Sequence, residues 1–208
     1  MTYPVDVPSA GPGERSPDPA AARESRDAED ARFVAESMND PERFTAVYDR
    51  HYPPVHRYVA GRLGPEAADD VAAETFLVAF RRRARFDPGK GALRPWLFGI
   101  ATNLVAQHRR AETRRYQAFA RVGADRPSGG HEERVVTWVT AEELQPQLAR
   151  ALAALSAKER DVVLLVALSE LGHEEVATAL GIPYGTVGSR LNRARRKLRA
   201  ALDTEGLQ

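Results

Sequence analysis

Glu174-Glu175-Val176-Ala177-Thr178-Ala179-Leu180-Gly181-Ile182-Pro183-Tyr184-Gly185-Thr186-Val187 reads as a helix, a tight glycine turn and a second helix, followed at once by an arginine-rich run. This is the order of a helix-turn-helix. Ala177 is small enough to let two helices approach, and Gly181 permits the positive φ that the turn needs. Val187, six residues beyond Gly181, locks the second helix onto the first.

The second helix carries two faces. Val187, Leu191, Ala194 and Leu198 recur at i, i+4, i+7 and i+11, one buried stripe of an α-helix. Thr186, Ser189, Asn192, Arg193 and Arg196 fall on the opposite face. Hydroxyls and amides can meet base edges, and guanidiniums can fork onto phosphate or guanine. The plainer alternative is a solvated basic helix in an ordinary bundle, which the glycine turn in front of it disfavours.

With 208 residues, 43% of them hydrophobic, the chain can build one medium or two small domains. Alternating β-branched runs are nearly absent, so an all-α protein is expected. The net charge of +1 conceals a polarised chain. Residues 1–40 carry nine acids against four arginines, whereas from Arg81 to Arg121 eleven basic residues face only Asp87 and Glu112. Cysteine is absent, which excludes disulfides and thiolate metal sites within this sequence. The longest apolar run, Val162 to Leu168, is far too short to cross a bilayer, and no charged-then-apolar signal segment opens the sequence. A cytoplasmic protein without membrane insertion is expected.

Residues 1–40, rich in Pro, Gly, Ser, Ala and acids, are expected to be a disordered N-terminal extension. Residues 118–145, with Arg126-Pro127-Ser128-Gly129-Gly130, read as a flexible linker, although Val135, Val136, Trp138 and Val139 are unusually apolar for one. Two helical domains remain, 41–117 and 146–203, with a short tail at 204–208.

In the first domain, Phe44, Val47, Tyr48, Tyr52, Val55, Val59 and Leu63 follow helical spacing up to Gly64-Pro65. A helix over 66–83 follows. It places Val71, Thr75, Val78 and Ala79 on one face and Asp70, Glu74 and Leu77 on the other, an acidic surface with an apolar spot suited to a basic protein partner. Phe86-Asp87-Pro88-Gly89-Lys90-Gly91 breaks the helix. Leu93 to Arg110 then resumes it, with Trp96, Leu97, Ile100, Ala101 and Leu104 at the apolar positions.

These stretches carry a family resemblance. Asp70-Val71-Ala72-Ala73-Glu74-Thr75-Phe76-Leu77, Arg85-Phe86-Asp87-Pro88-Gly89 and Arg94-Pro95-Trp96-Leu97-Phe98-Gly99-Ile100-Ala101-Thr102-Asn103 resemble sigma region two. Leu152-Ala153-Ala154-Leu155-Ser156-Ala157-Lys158-Glu159-Arg160-Asp161, through Gly185-Thr186-Val187-Gly188-Ser189-Arg190-Leu191, resembles sigma region four. Together, in this order, they are similar to the extracytoplasmic-function (ECF) sigma factors of bacterial RNA polymerase, in the sigma-70 family.

The resemblance implies a set of roles. Asp70, Glu74 and Leu77 would bind the clamp of core RNA polymerase. Arg82, Phe86, Asp87, Lys90, Arg94 and Asn103 would handle the minus-ten element, the loop from Phe86 to Leu93 pocketing a base extruded from the melted strand. Thr186, Ser189, Arg190, Asn192, Arg193 and Arg196 would read the minus-thirty-five duplex. The implied partners are core polymerase at its clamp and flap, promoter DNA as duplex and as melted strand, and an anti-sigma factor. No cofactor, metal or catalytic residue is implied. Three positions depart from the family: Ala73 in place of a usual glutamine, Gly188 in place of lysine or arginine, and His173 in place of a frequent aromatic. Gly188 removes a phosphate contact and costs about 1 kcal/mol of helix propensity.

Two rivals share parts of this pattern. A helix-turn-helix regulator acting on duplex DNA without polymerase would need a sensor or dimerisation domain in place of the acidic helix and pocket loop. A helical enzyme holding magnesium at Asp69, Asp70 and Glu74 would need a second acidic cluster, and the sequence offers none as convincing. The five histidines show no metal-ligand spacing.

Overall fold

A computed structural model describes residues 19–122, 146–169 and 171–203, and every regular element among them is helical. Four helices form the N-terminal part: α1 (Pro19–Glu36), α2 (Phe44–Leu63), α3 (Pro65–Arg82) and α4 (Leu93–Val122). Four more form the C-terminal part: α5 (Pro146–Ala153), α6 (Ala157–Ser169), α7 (His173–Leu180) and α8 (Tyr184–Asp203). Short 3-10 turns at Pro41–Arg43, Arg83–Arg85 and Pro88–Lys90 complete the N-terminal part.

The α2–α3 corner is made by one residue. Gly64 has φ +88 and serves as C-cap of α2 and N-cap of α3, a conformation that a side chain would strain, and Pro65 starts α3 where its missing N–H costs nothing. α2 itself runs through Pro53 and Pro54, which in isolation disfavour a helix interior. Packing overrides that preference: Val47, Val55, Tyr58 and Val59 on one stripe are fully buried. Tyr58 shows how a polar atom is accommodated there. Its hydroxyl pairs with Thr102 Oγ1 at 2.8 Å, its ring meets Phe98 edge-on at 5.5 Å, and burial pushes its pKa to about 12.

The expectation of disorder across residues 1–40 fails from Pro19 onward, because α1 is a folded helix packed on α2 and α4. The acids that suggested a solvated tail have partners. Asp30, buried at 2% exposure, lies 2.6 Å from His51 Nε2 and accepts from Arg50 Nη1 at 2.8 Å, while Glu29 accepts from Arg50 Nη2 at 2.8 Å. Val34 completes the seam as a core residue. α4 is also longer than expected and takes in 118–122, the first residues assigned to the linker. The remainder of those two expectations (1–18 and 123–145, with Val135, Val136, Trp138 and Val139) and the tail 204–208 lie outside the described residues.

In the C-terminal part, α6 begins with reciprocal capping. Glu159 Oε2 accepts from the Ser156 backbone N–H at 2.9 Å and from the Ser156 hydroxyl at 2.8 Å. Lys197 reaches the same oxygen at 2.8 Å, tying α8 to the start of α6. Lys197 and then the Ser156 N–H hold the Glu159 carboxyl down at about 2. A carboxyl depressed in the folded state stabilises it above the unfolded pKa, here 4.5, and that contribution is lost as pH falls toward 2. Glu159→Gln is therefore expected to lower stability near neutral pH by about 1.5–3 kcal/mol, the range for hydrogen bonds to a charged group. Urea melts at pH 7 and at pH 3 should show the difference between variant and parent shrinking at the lower pH.

Candidate nucleic-acid and polymerase interfaces

The helix-turn-helix is formed by α7 and α8. Gly181 adopts φ +60 as the left-handed cap of α7, and its N–H bonds back to the Thr178 carbonyl at 3.2 Å. Val187, Leu191 and Ala194 are buried and Leu198 is half-buried, so the helical stripe faces inward. Ser189, Asn192, Arg193 and Arg196 are exposed along the outer face, with Thr186 and Arg190 half-buried at its margin. An added Cβ at Gly188 would meet nothing within 4 Å, so the space that a longer side chain would use stands open. Tyr184, 59% exposed at the first turn of α8, adds an aromatic ring to this surface that the sequence reading passed over.

On α3, Asp70, Glu74 and Leu77 are all exposed, and Leu77 is among the large apolar side chains most open to solvent. The opposite stripe, Val71, Thr75 and Ala79, is buried against α2 and α4. Next to the acidic face, Tyr48 and Tyr52 stack at 4.8 Å, and Tyr48 meets Phe76 edge-on at 5.1 Å. Tyr48 is exposed, so this surface is larger and more aromatic than α3 alone indicates. Asp69 is engaged elsewhere, 3.0 Å from His56 Nε2 and 3.4 Å from the Tyr52 hydroxyl. Among the described residues, no group of three or more His, Cys, Asp or Glu side chains converges as a metal site.

The turn between α3 and α4 frames a cleft of about 330 Å³ lined by Arg82, Phe86, Asp87, Lys90, Trp96 and Asn103, among others. Phe86 and Trp96 face each other at 5.6 Å between centroids, a pair of rings at the mouth of a basic cleft. Asp87 builds the loop. Its carboxylate accepts from the Gly89 N–H at 3.0 Å and pairs with Lys90 at 3.1 Å, and these two partners, Lys90 first, pull its pKa down. Five of the six residues expected at the minus-ten element thus share one cleft. Arg94 does not join them: its guanidinium donates to the Ser169 carbonyl and lines a separate charged recess with Arg23, Arg26, Arg50 and Glu175. As the second residue of α4 it lies on the flank of the helix facing α1 and α7.

An exposed acidic helix, an aromatic basic cleft and a helix-turn-helix on one all-helical chain define a promoter-reading protein of the sigma-70 class. Residues 47–115 match the family described as Sigma-70 region 2, and residues 145–198 match Sigma-70, region 4. The chain is 35% identical over 163 residues to the ECF RNA polymerase sigma factor SigL of Mycobacterium tuberculosis, covering 78% of this chain and 90% of that one. Its fold is similar to that of CnrH solved with the cytosolic domain of CnrY, with a TM-score of 0.59 at 25% identity, over 84% of this chain and 97% of CnrH. The sigma factor RpoE of Bartonella quintana, solved with the anti-sigma factor NepR, shares the fold at a TM-score of 0.60 and 24% identity, over 77% of this chain and 96% of that one. The protein belongs to the ECF sigma factors of the sigma-70 family.

Proposed function

We propose that this sigma factor divides promoter reading between its two parts, with the α3 face docking on the polymerase clamp, the Phe86–Trp96–Asn103 cleft holding the melted minus-ten strand, and the outer face of α8 reading the minus-thirty-five duplex. The observation that carries this reading is the cleft. Two aromatic rings beside Arg82, Lys90 and an exposed Asn103 supply stacking, phosphate attraction and one amide for a base edge, the combination a single strand calls for. α8 supplies a different chemistry, an exposed polar and cationic helix surface fitted to the major groove. The protein performs no catalysis of its own in this scheme and acts in the cytoplasm, where its polymerase is. A protein antagonist belongs to the proposal as well, since CnrH was solved holding the cytosolic domain of CnrY.

The test is reconstitution. Core polymerase plus this chain, transcribing fragmented genomic DNA, is expected to yield transcripts whose starts share two upstream elements. In that system Arg193→Ala should weaken binding to the upstream duplex and reduce the slope of log K against log salt by about 0.9, one phosphate contact. Tight, sequence-specific duplex binding by the chain alone, with no association with core polymerase, would overturn the reading in favour of an ordinary regulator.

A further inference from the structure

At its N-terminal turn, α8 carries a side chain that neither its buried stripe nor its row of polar residues accounts for. Tyr184 is the first residue of the helix and is 59% exposed, more open than Leu77, Met38 or Tyr48. Its ring meets that of His173, at the start of α7, at 6.2 Å and a tilt of 53°, a contact that leaves most of the ring in water. A ring in water contributes little to folding, because apolar surface stabilises only when it is removed from solvent.

The surface around Tyr184 is cleared of other side chains. An added Cβ at Gly188 would meet nothing within 4 Å, and this glycine has no positive φ, so neither packing nor a turn inside the chain requires it. Glycine within a helix weakens it, and one use that offsets the cost is close approach to a bound molecule. A helical side chain covers the surface over the turn before its own Cα. A side chain at position 188, one turn beyond Tyr184, would therefore lie against the ring, and glycine leaves that flank open. The rest of the first two turns does not compete. Val187 is buried, Thr186 is half-buried, and the Ser189 hydroxyl donates back to the Thr186 carbonyl at 3.0 Å. Tyr184 is thus the one long side chain that residues 184–189 present to solvent.

Charge selects what the ring meets. α8 carries six basic residues, Arg190, Arg193, Arg195, Arg196, Lys197 and Arg199, against Asp203 alone. Such a surface draws a polyanion, and a DNA duplex offers in its major groove both phosphates and an apolar group, the thymine methyl. We propose that Tyr184 is a specificity-determining residue whose ring packs on the C5-methyl of one thymine in the upstream duplex, with Gly188 keeping the flank of the ring clear. The inference rests on the reading of α8 as the duplex-reading helix. Tyr184 and Asn192 share one flank of α8, about 12 Å apart along its axis. With α8 lying along the groove, that separation is roughly three to four base pairs. The thymine contact therefore falls at the opposite end of the element from the bases that Asn192 and Arg196 face.

The test replaces each thymine of the upstream element, on either strand, by uracil, which removes one methyl and leaves pairing intact. Holoenzyme assembled from core polymerase and the full chain is titrated against each labelled duplex. For the parent, uracil at one position should weaken binding about fourfold, the worth of one buried methyl. Tyr184→Ala should be indifferent to uracil there, whereas Tyr184→Phe, which keeps the ring, should behave as the parent. Gly188→Gln should raise the melting temperature of the free chain, since it restores helix propensity in open space, and should still diminish the uracil effect. An unchanged melting temperature for Tyr184→Ala shows that the ring is not structural. Absence of any such position in the parent, or a uracil effect that survives in Tyr184→Ala, overturns the assignment. An undiminished effect in Gly188→Gln overturns the role given to Gly188. Arg193→Ala separates the inference from its premise. If Arg193→Ala leaves duplex affinity unchanged, α8 does not read the duplex. If it weakens binding while the uracil effect persists in Tyr184→Ala, the assignment of Tyr184 alone fails.

Discussion

Reversing two charges on α3, Asp70→Arg with Glu74→Arg, is expected to weaken binding to core RNA polymerase by roughly ten- to a hundredfold. Each exposed ion pair is worth about 0.4–0.7 kcal/mol, and reversal replaces attraction by repulsion of similar size, so two positions together reach about 1.5–3 kcal/mol. Both side chains are exposed and neither belongs to the buried stripe of Val71, Thr75 and Ala79, so the fold should be undisturbed. The defect should shrink as salt is raised, because exposed charges are screened. Leu77→Ala, removing a side chain that is 48% exposed, should produce a smaller loss that salt does not relieve. Fluorescence titration of labelled protein with core enzyme at two salt concentrations measures all three. Unchanged affinity of a folded double variant would remove α3 from the polymerase interface.

The parts of this architecture that repeat every three or four residues are the parts that the sequence announces. α8 is legible because its buried stripe and its polar face alternate with helical period, and α3 because the same period separates Val71, Thr75 and Ala79 from Asp70, Glu74 and Leu77. Gly64 and Gly181 mark their corners because each carries a positive φ. α1 was obscured by a compositional argument. Its acids count as solvating in an average, yet Asp30 is buried against His51 and Arg50, residues some twenty positions away whose roles no local window connects to it.

The candidate surfaces divide along the same line. The cleft between α3 and α4 assembles Arg82, Phe86 and Lys90 from a turn and the helix end before it, and Asn103 from the third turn of α4, so sequence proximity already implies spatial proximity. Arg94 breaks that logic. A residue two positions into a helix takes its direction from the helical phase, and the phase turns Arg94 toward Ser169. The docking of α7 on α4 was invisible for a further reason. Gly99 and Gly61 carry no side chain for a periodic pattern to register, and their use in letting another helix approach emerges only when Ala179 and Leu168 are found against them.

The cleft makes the most discriminating demand. Phe86→Ala should cost about 1–3 kcal/mol of melted-strand binding, the value of one base stacked on an aromatic ring. Phe86 is half-buried against Trp96, so part of any loss in this variant comes from the loop, and Asn103→Ala serves as the companion because Asn103 is exposed and caps nothing. Asn103→Ala removes one amide from the cleft without disturbing the Asp87–Gly89–Lys90 turn that shapes it. Both variants should bind core polymerase and the upstream duplex as the parent does, since neither touches α3's acidic face or α8. They should nonetheless be impaired in strand opening, because in the proposed scheme melting exchanges paired, stacked bases for contacts in this cleft. Permanganate reactivity of thymines near the start site, measured beside a duplex-binding assay on one promoter, reads the two steps separately. Normal opening with reduced duplex affinity would place the strand elsewhere, since a residue inside the cleft cannot lose the upstream contact while sparing the downstream one.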